Sequence, residues 1–376
     1  MIGSVDSRQR LLTRRRLVAG AFACTGAAQG ADALPGLGII GCGLRSRVHF
    51  SALRRVSGAK VTALSDVESA RMEAANKQLP ARAAAYTDYR ELIRDKNVGA
   101  VVIVTPGYLH HRMALDAIRA GKDVVLEKPM GLTYAEAKEI EREAARSGRI
   151  VAVCMQRRYS RADSETRKIV ESGAIGPLRL ITCSEFRGDW HPDTWQYADP
   201  DTGKKTSWRL LRKTAGSSEL EFSIHAFAEV CELVKSPPAR IAASGGVVHY
   251  RDRETRDVSN VLVDFANGVR FSYSFSCFVP RGGSQLTVVG DKGWLSRSRG
   301  VISVQTGGKA PQEIKPGGDG EGGSAETRFY EEFFESVRTR KQSALNPTAA
   351  MEPAKIAFGA DWSITENRIV TARDFT

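Results

Sequence analysis

Leu37-Gly38-Ile39-Ile40 is a short apolar run that passes directly into Gly41-Cys42-Gly43-Leu44-Arg45-Ser46, and the residues that follow, Val48 to Val56, have a helical pattern. Few folds begin with a strand that turns through two glycines into a helix. Gly41 permits the tight turn. Gly43 lets the backbone approach a pyrophosphate, whose charge then lies at the positive end of the helix. Ser46 stands where a third Gly or Ala is usual, and its small side chain still allows close helix packing. The loop, with Leu44 and Arg45 inside it, is predicted to be the phosphate loop of a dinucleotide-binding domain.

The residues downstream extend that domain. A second strand, Lys60 to Ser65, ends in Asp66, 23 residues beyond Gly43. An acid there accepts hydrogen bonds from the adenosine ribose hydroxyls and repels a 2′-phosphate, which favours NAD over NADP. Val98 to Val104 reads as a buried parallel strand, followed by Thr105-Pro106 and a helix from His110 to Ala120 closed by Gly121. Asp123 to Leu126 then leads into Glu127-Lys128-Pro129. Alternating strands and helices build a doubly wound parallel sheet whose ligand lies beyond the carboxyl ends of the strands, where Lys128 is placed.

The second half is patterned differently. Ala152 to Arg158 is read as a crossover and Ala162 to Glu171 as an amphipathic helix. Strand-like runs follow at Leu178 to Phe186, Arg240 to Val248, Val258 to Phe265, Val269 to Phe278 and Gln285 to Val289, with Ala266-Asn267-Gly268 as a hairpin turn. The expected architecture is α/β plus α+β: a Rossmann domain over residues 34–153, then a domain over 154–376 on a largely antiparallel open sheet flanked by helices.

Two segments stand apart from that sheet. Arg187 to Lys213 is long and polar yet holds Trp190, Trp195 and Trp208, three of the 5 Trp in the chain. Rigid aromatic faces suit the apolar face of a sugar ring, and they serve equally to pin a loop to its own domain. From Gly216 a helix is predicted through Val234 that carries Glu221 and His225 four residues apart, on one face. An acid and an imidazole beside a lysine suit proton transfer, and taken alone the same pair would make a structural hydrogen bond.

Composition narrows the function classes. The net charge of +12 is scattered, with no basic stripe interleaved with aromatics, which argues against nucleic acid. No run reaches the roughly 18 apolar residues of a spanning helix. The 6 Cys show no CxxC or metal-type spacing, so neither a disulfide framework nor a metal site is expected. Residues 1–33 place Thr13-Arg14-Arg15-Arg16-Leu17 before a weakly apolar stretch with two small-residue candidates for cleavage, Ala31-Asp32-Ala33 and Ala21-Phe22-Ala23. That is the layout of a twin-arginine export signal to the periplasm, and a basic tail on a cytoplasmic protein is the alternative.

Thr105-Pro106 with His110, then Ala117, Ala120-Gly121-Lys122 and Glu127-Lys128-Pro129, downstream of the glycine loop, resembles the Gfo/Idh/MocA family of glucose-fructose oxidoreductase and inositol dehydrogenase. The resemblance runs from about residue 37 to the end, and it includes the Trp208-Arg209 pair ahead of the acid and histidine. It departs at Gly107, where Asn is common, at Ser217-Ser218 within a glycine run, and at Glu221, where Asp is usual. It implies NAD(P)-dependent oxidation of a secondary hydroxyl on a sugar, cyclitol or glycoside, with a tightly held cofactor. His225 would be the general base, Lys128 would stabilise the alkoxide, and Glu221 would position them. Gly41, Gly43, Leu44, Arg45, Ser46, Asp66, Thr105, Pro106, His110, Glu127 and Lys128 would border the cofactor. Arg158, Trp190, Trp208 and Arg209 would border the substrate. The family also implies pairing of chains through the second sheet. Two rivals stay open: a redox-neutral NAD-dependent glycoside hydrolase, and a sugar or nucleotide sensor without turnover.

Overall fold

The computed structural model describes residues 34–188, 196–198, 203, 205–280, 282–318 and 323–376. Leu34–Thr376 forms one compact unit. Its first layer is a parallel sheet of β1 (Leu37–Ile40), β2 (Val61–Ser65), β3 (Ala84–Tyr86), β4 (Ala100–Ile103), β5 (Asp123–Glu127) and β6 (Val151–Cys154), in the order β3-β2-β1-β4-β5-β6. β1 and β4 to β6 are buried along their whole length, as strands covered on both faces by helices must be. Strand order reverses between β1 and β4, and this opens a crevice at their carboxyl ends.

Two expectations shift here. The first helix spans Ser46–Leu53 rather than starting at Val48, because the Ser46 hydroxyl donates to the Gly43 carbonyl at 2.6 Å and locks the first turn. The first residues of the presumed crossover are instead β6, which pairs Val124 to Glu127 of β5 with Val151 to Cys154. Four fully buried small or branched residues favour that strand over a connector.

The second layer begins at β7 (Leu178–Phe186). A small ribbon follows, β8 (Gln196–Ala198) with β9 (Lys205–Ser207), and then β10 (Pro238–Gly246), β11 (Val258–Phe265), β12 (Arg270–Ser276), β13 (Gly283–Gly290), β14 (Gly293–Ser298), β15 (Val301–Thr306), β16 (Gln312–Ile314) and β17 (Val370–Thr371). The large sheet has nine strands in the order β16-β15-β14-β13-β7-β12-β11-β10-β17. It is antiparallel except where β12 runs parallel to β7. This parallel pair brings the carboxyl ends of β7 and β12 to the same edge.

One face of the sheet packs on the helix Ile224–Val234, where Phe227 meets Tyr273 edge-on at 5.0 Å. The carboxyl-terminal helices, Ala325–Thr339 and Pro347–Glu366, return to the parallel sheet. Val153 N–H of β6 donates to the Leu345 carbonyl at 2.8 Å, and Tyr134 packs edge-on against Phe358 and Trp362. Among the described residues no helix is long and apolar enough to cross a membrane.

The predicted helix from Gly216 has a distinct start. Glu219–Ser223 is a π-helical turn, and the regular helix begins only at Ile224. The wider turn shifts the angular relation between Glu221 and His225 from that of a regular helix. No hydrogen bond joins those two side chains.

Candidate active site

The glycine loop has the shape a pyrophosphate needs. Gly41 has φ +97°, and a Cβ there would meet the Val104 carbonyl oxygen at 2.7 Å. A Cβ on Gly43 would meet nothing within 4 Å, so the backbone there faces open space. Leu44 is 48% exposed beside it. Asp66 closes the far side: its Oδ2 accepts from Cys42 N–H at 2.8 Å and its Oδ1 from Glu68 N–H at 2.9 Å. Each oxygen keeps lone pairs for ribose hydroxyls.

Three residues expected at the cofactor are turned to other work. Arg45 Nε donates to Glu127 Oε1 at 2.6 Å, and its Nη1 lies 3.5 Å from Glu326. Glu127 Oε1 also lies 3.0 Å from His49 Nε2, and Oε2 accepts from Lys128 N–H at 3.2 Å. Burial alone would raise the Glu127 carboxyl, but the Arg45 charge and then the His49 bond outweigh it and hold it well below the usual range. His110 is buried, with Nδ1 at 2.6 Å from the Pro129 carbonyl and Nε2 at 2.8 Å from the Thr105 carbonyl. A ring spent on two backbone oxygens clamps the Thr105-Pro106 turn to the Lys128-Pro129 bond, which is cis. Arg45, Glu127 and His110 are therefore bonded within the protein, tying the glycine loop and the Thr105-Pro106 turn to the end of β5.

His49 extends that support to the last third of the chain. A carboxylate only accepts, so Nε2 carries the ring proton and Nδ1 accepts from Tyr330 Oη at 2.7 Å. His49, Glu127 and Cys154 bring ligand atoms within 4.8 Å of one another. A guanidinium already occupies the carboxylate, and burial pushes the Cys154 thiol well up. The cluster is built as a hydrogen-bonded junction, not as a cation site.

Lys128, at the end of β5, points the other way. Its Nζ donates to the Glu221 carbonyl at 2.6 Å and lies 3.2 Å from Glu221 Oε1. Arg209 Nη2 reaches the same Oε1 at 2.9 Å, so two cations share one carboxylate that is only 3% exposed. The longer side chain that replaces the usual Asp lets the acid meet both. Burial lowers the Lys128 ammonium below the ordinary lysine value, with the Glu221 charge opposing that shift. His225 is lowered well below the ordinary 6.5, first by burial and then by the Lys128 and Arg157 charges. The lowered value keeps the imidazole neutral, the form in which a ring nitrogen can accept a proton.

The remaining expectations divide. Trp208 and Arg209 lie in a short 3₁₀ turn, Trp208–Leu210, with the Arg209 guanidinium 4.9 Å from the Trp208 ring centroid. Arg158 is not beside Lys128; its guanidinium pairs with Glu232. Trp190 and Trp195 lie outside the described residues. Arg157, the neighbour of Arg158, was missed by sequence reasoning. It bonds Glu185 Oε1 at 2.7 Å, and its positive charge helps lower His225. Adjacent arginines in a polar turn carry no signal that separates them.

Known proteins agree with this construction. A family model described as "Oxidoreductase family, NAD-binding Rossmann fold" matches residues 36–155, and the "GFO/IDH/MocA C-terminal domain" matches residues 164–296. Inositol 2-dehydrogenase of Salmonella typhimurium is 36% identical over 158 residues, 42% of this chain and 47% of that protein. The chain thus spans about half the length of the curated relatives it matches. An oxidoreductase domain protein from Kribbella flavida shares the fold with TM-score 0.81 at 20% identity, over 90% of this chain and 99% of that one. Levoglucosan dehydrogenase, solved with NADH and L-sorbose, does so with TM-score 0.78 at 20% identity, over 90% and 98%. The two domain models match the glycine-loop half and the large-sheet half in turn: the chain belongs to the Gfo/Idh/MocA oxidoreductase family, with an NAD-binding Rossmann domain at its amino-terminal end.

Proposed function

We propose that this chain oxidises a secondary hydroxyl of a sugar or cyclitol, with NAD as acceptor. The observation that carries this reading is the Lys128–Glu221–Arg209 cluster at the carboxyl end of β5, beside a neutral His225. Gly41, Gly43 and Asp66 would hold the dinucleotide, whose nicotinamide supplies the acceptor for the hydride. Lys128 donates a hydrogen bond to the substrate oxygen as negative charge develops there. His225 takes the hydroxyl proton. Glu221 fixes the Lys128 ammonium through both its carbonyl and its carboxylate. The inositol 2-dehydrogenase and levoglucosan dehydrogenase names among the relatives support this substrate class.

Export supports a tightly held cofactor. The order of charge, apolar run and Ala31-Asp32-Ala33 in residues 1–33 favours twin-arginine export, a route that carries proteins already folded where NAD is available. Leu262, 59% exposed, and Leu180, 41% exposed, on the large sheet favour pairing of two chains there.

The test is purified protein with NAD and a panel of cyclitols, aldoses and aryl glycosides. Reduced-nicotinamide absorbance that depends on a polyol is expected. Absence of that signal from every polyol would refute the reading, and glycoside cleavage without net reduction would replace it with the redox-neutral hydrolase.

A further inference from the structure

A cavity of about 360 Å³ is lined by His225 together with Met155, Arg157, Asp163, Glu229 and Glu352. Lys128, Glu221 and the glycine loop form no part of its wall, and His225 is the one residue of the proposed proton transfer that does. Three of its lining residues each carry an enclosed polar atom with no hydrogen-bond partner: His225 Nδ1, Asp163 Oδ2 and Glu352 Oε2. The other oxygens of the two acids are bound, Asp163 Oδ1 to Arg297 at 2.9 Å and Glu352 Oε1 to Lys355 at 2.7 Å. Glu229 differs, since Arg297 satisfies both its oxygens at 2.6 and 2.7 Å.

Proteins seldom leave enclosed polar atoms unmatched, and ordered water is the usual partner. At roughly 30 Å³ per water, a polar cavity of this size has room for about ten. Exposed Glu171 and Lys235, paired at 2.7 Å, line it as well, so it reaches the surface.

We infer that this cavity is a hydrated proton outlet for His225, leading past Asp163 and Glu352 to solvent. The inference rests on the dehydrogenase reading. In each turnover the substrate O–H bond breaks and its proton forms a bond to His225 Nε2, while the carbon-bound hydrogen leaves with its electron pair to NAD. The imidazolium then releases its Nδ1 proton to cavity water, leaving the Nε2–H tautomer; once product leaves, the open active site takes the Nε2 proton while cavity water returns one to Nδ1, so the ring begins the next turnover as it began. One proton reaches solvent for each NAD reduced. Burial and the neighbouring Glu229 charge push the Asp163 carboxyl up, which suits a group that holds a proton in transit.

The outlet is tested with the full chain, NAD and myo-inositol in dilute buffer, comparing wild type with Glu352→Gln and with Ala228→Leu, which fills the cavity from the helix that carries His225. Expected are a fall in kcat of about tenfold at unchanged KM for both substrates, and recovery on adding imidazole buffer. Wild-type kcat in both variants, or a loss that imidazole does not restore, would overturn the outlet. A wild type inert on all polyols would instead sink the dehydrogenase reading. A high-resolution crystal structure reads the cavity without turnover. Water bridging Nδ1 to the two carboxylates is expected, and a dry cavity refutes the inference.

Discussion

Lys128 joins two regions that each present it with a buried glutamate, and the two acids are used in opposite ways. On the nucleotide-binding side, Glu127 is consumed by Arg45, His49 and the Lys128 N–H, all within a junction that Tyr330 closes. On the large-sheet side, Glu221 shares one oxygen between two cations, Lys128 and Arg209. One carboxylate holds the backbone in place and the other holds the ammonium. The lesson is that a short motif can be half structure and half chemistry, with the division falling between adjacent residues.

Substituting the shared lysine breaks the comparison most severely. Lys128→Met is expected to lower kcat by about a thousandfold, roughly 4 kcal/mol of transition-state stabilisation, with NAD affinity by calorimetry unchanged. A kcat within tenfold of wild type would remove Lys128 from the chemistry. Next come the two acids. Glu127→Gln should cost roughly 3 kcal/mol in urea unfolding because it strands part of a buried charge network, with kcat changed little, whereas Glu221→Gln, which strands two largely buried cations, should cost about as much and also lower kcat about a hundredfold. Equal losses of kcat from both variants would show that the division of labour is wrong.

Smaller effects sharpen the same picture. Asp66→Asn should weaken NAD binding by about tenfold, and NADP binding less, since the repulsion of a 2′-phosphate is lost along with a ribose contact. The pH profile is a finer test. His225 must be neutral and Lys128 protonated, so kcat/KM should fall on the acid side only below the ordinary histidine value of 6.5, and on the alkaline side before the ordinary lysine value of 10.5. Glu127 is depressed in the folded chain, so its contribution to stability is complete above its ordinary 4.5 and is lost as pH falls below it.

Much of this was legible in the chain. The glycine loop, Asp66 and Glu127-Lys128-Pro129 are local features, each tied to a strand end, and a strand end in a parallel sheet already points to the crevice. The hairpin at Asn267-Gly268 was equally local. What failed to show were relations between distant residues. The π turn at Glu219–Ser223 has no pattern of its own, since its residues are ordinary helix formers. Arg157 and Arg158 read alike, and only Glu185 and Glu232, on separate elements, pull them apart. The strands after Gly290 went unread because β14 to β16 are short and mixed in polarity, and neighbouring strands give them their pairing.

The sequence alone determined that Gly41 and Gly43 would form an open glycine turn between a strand and a helix, and that Lys128 would stand at the end of β5, because backbone turns and strand directions are set by near neighbours. The tertiary structure decided what faces Lys128. Glu221, Arg209 and His225 arrive from a separate sheet and its helices, and their charges take on strength only where packing removes water from around them.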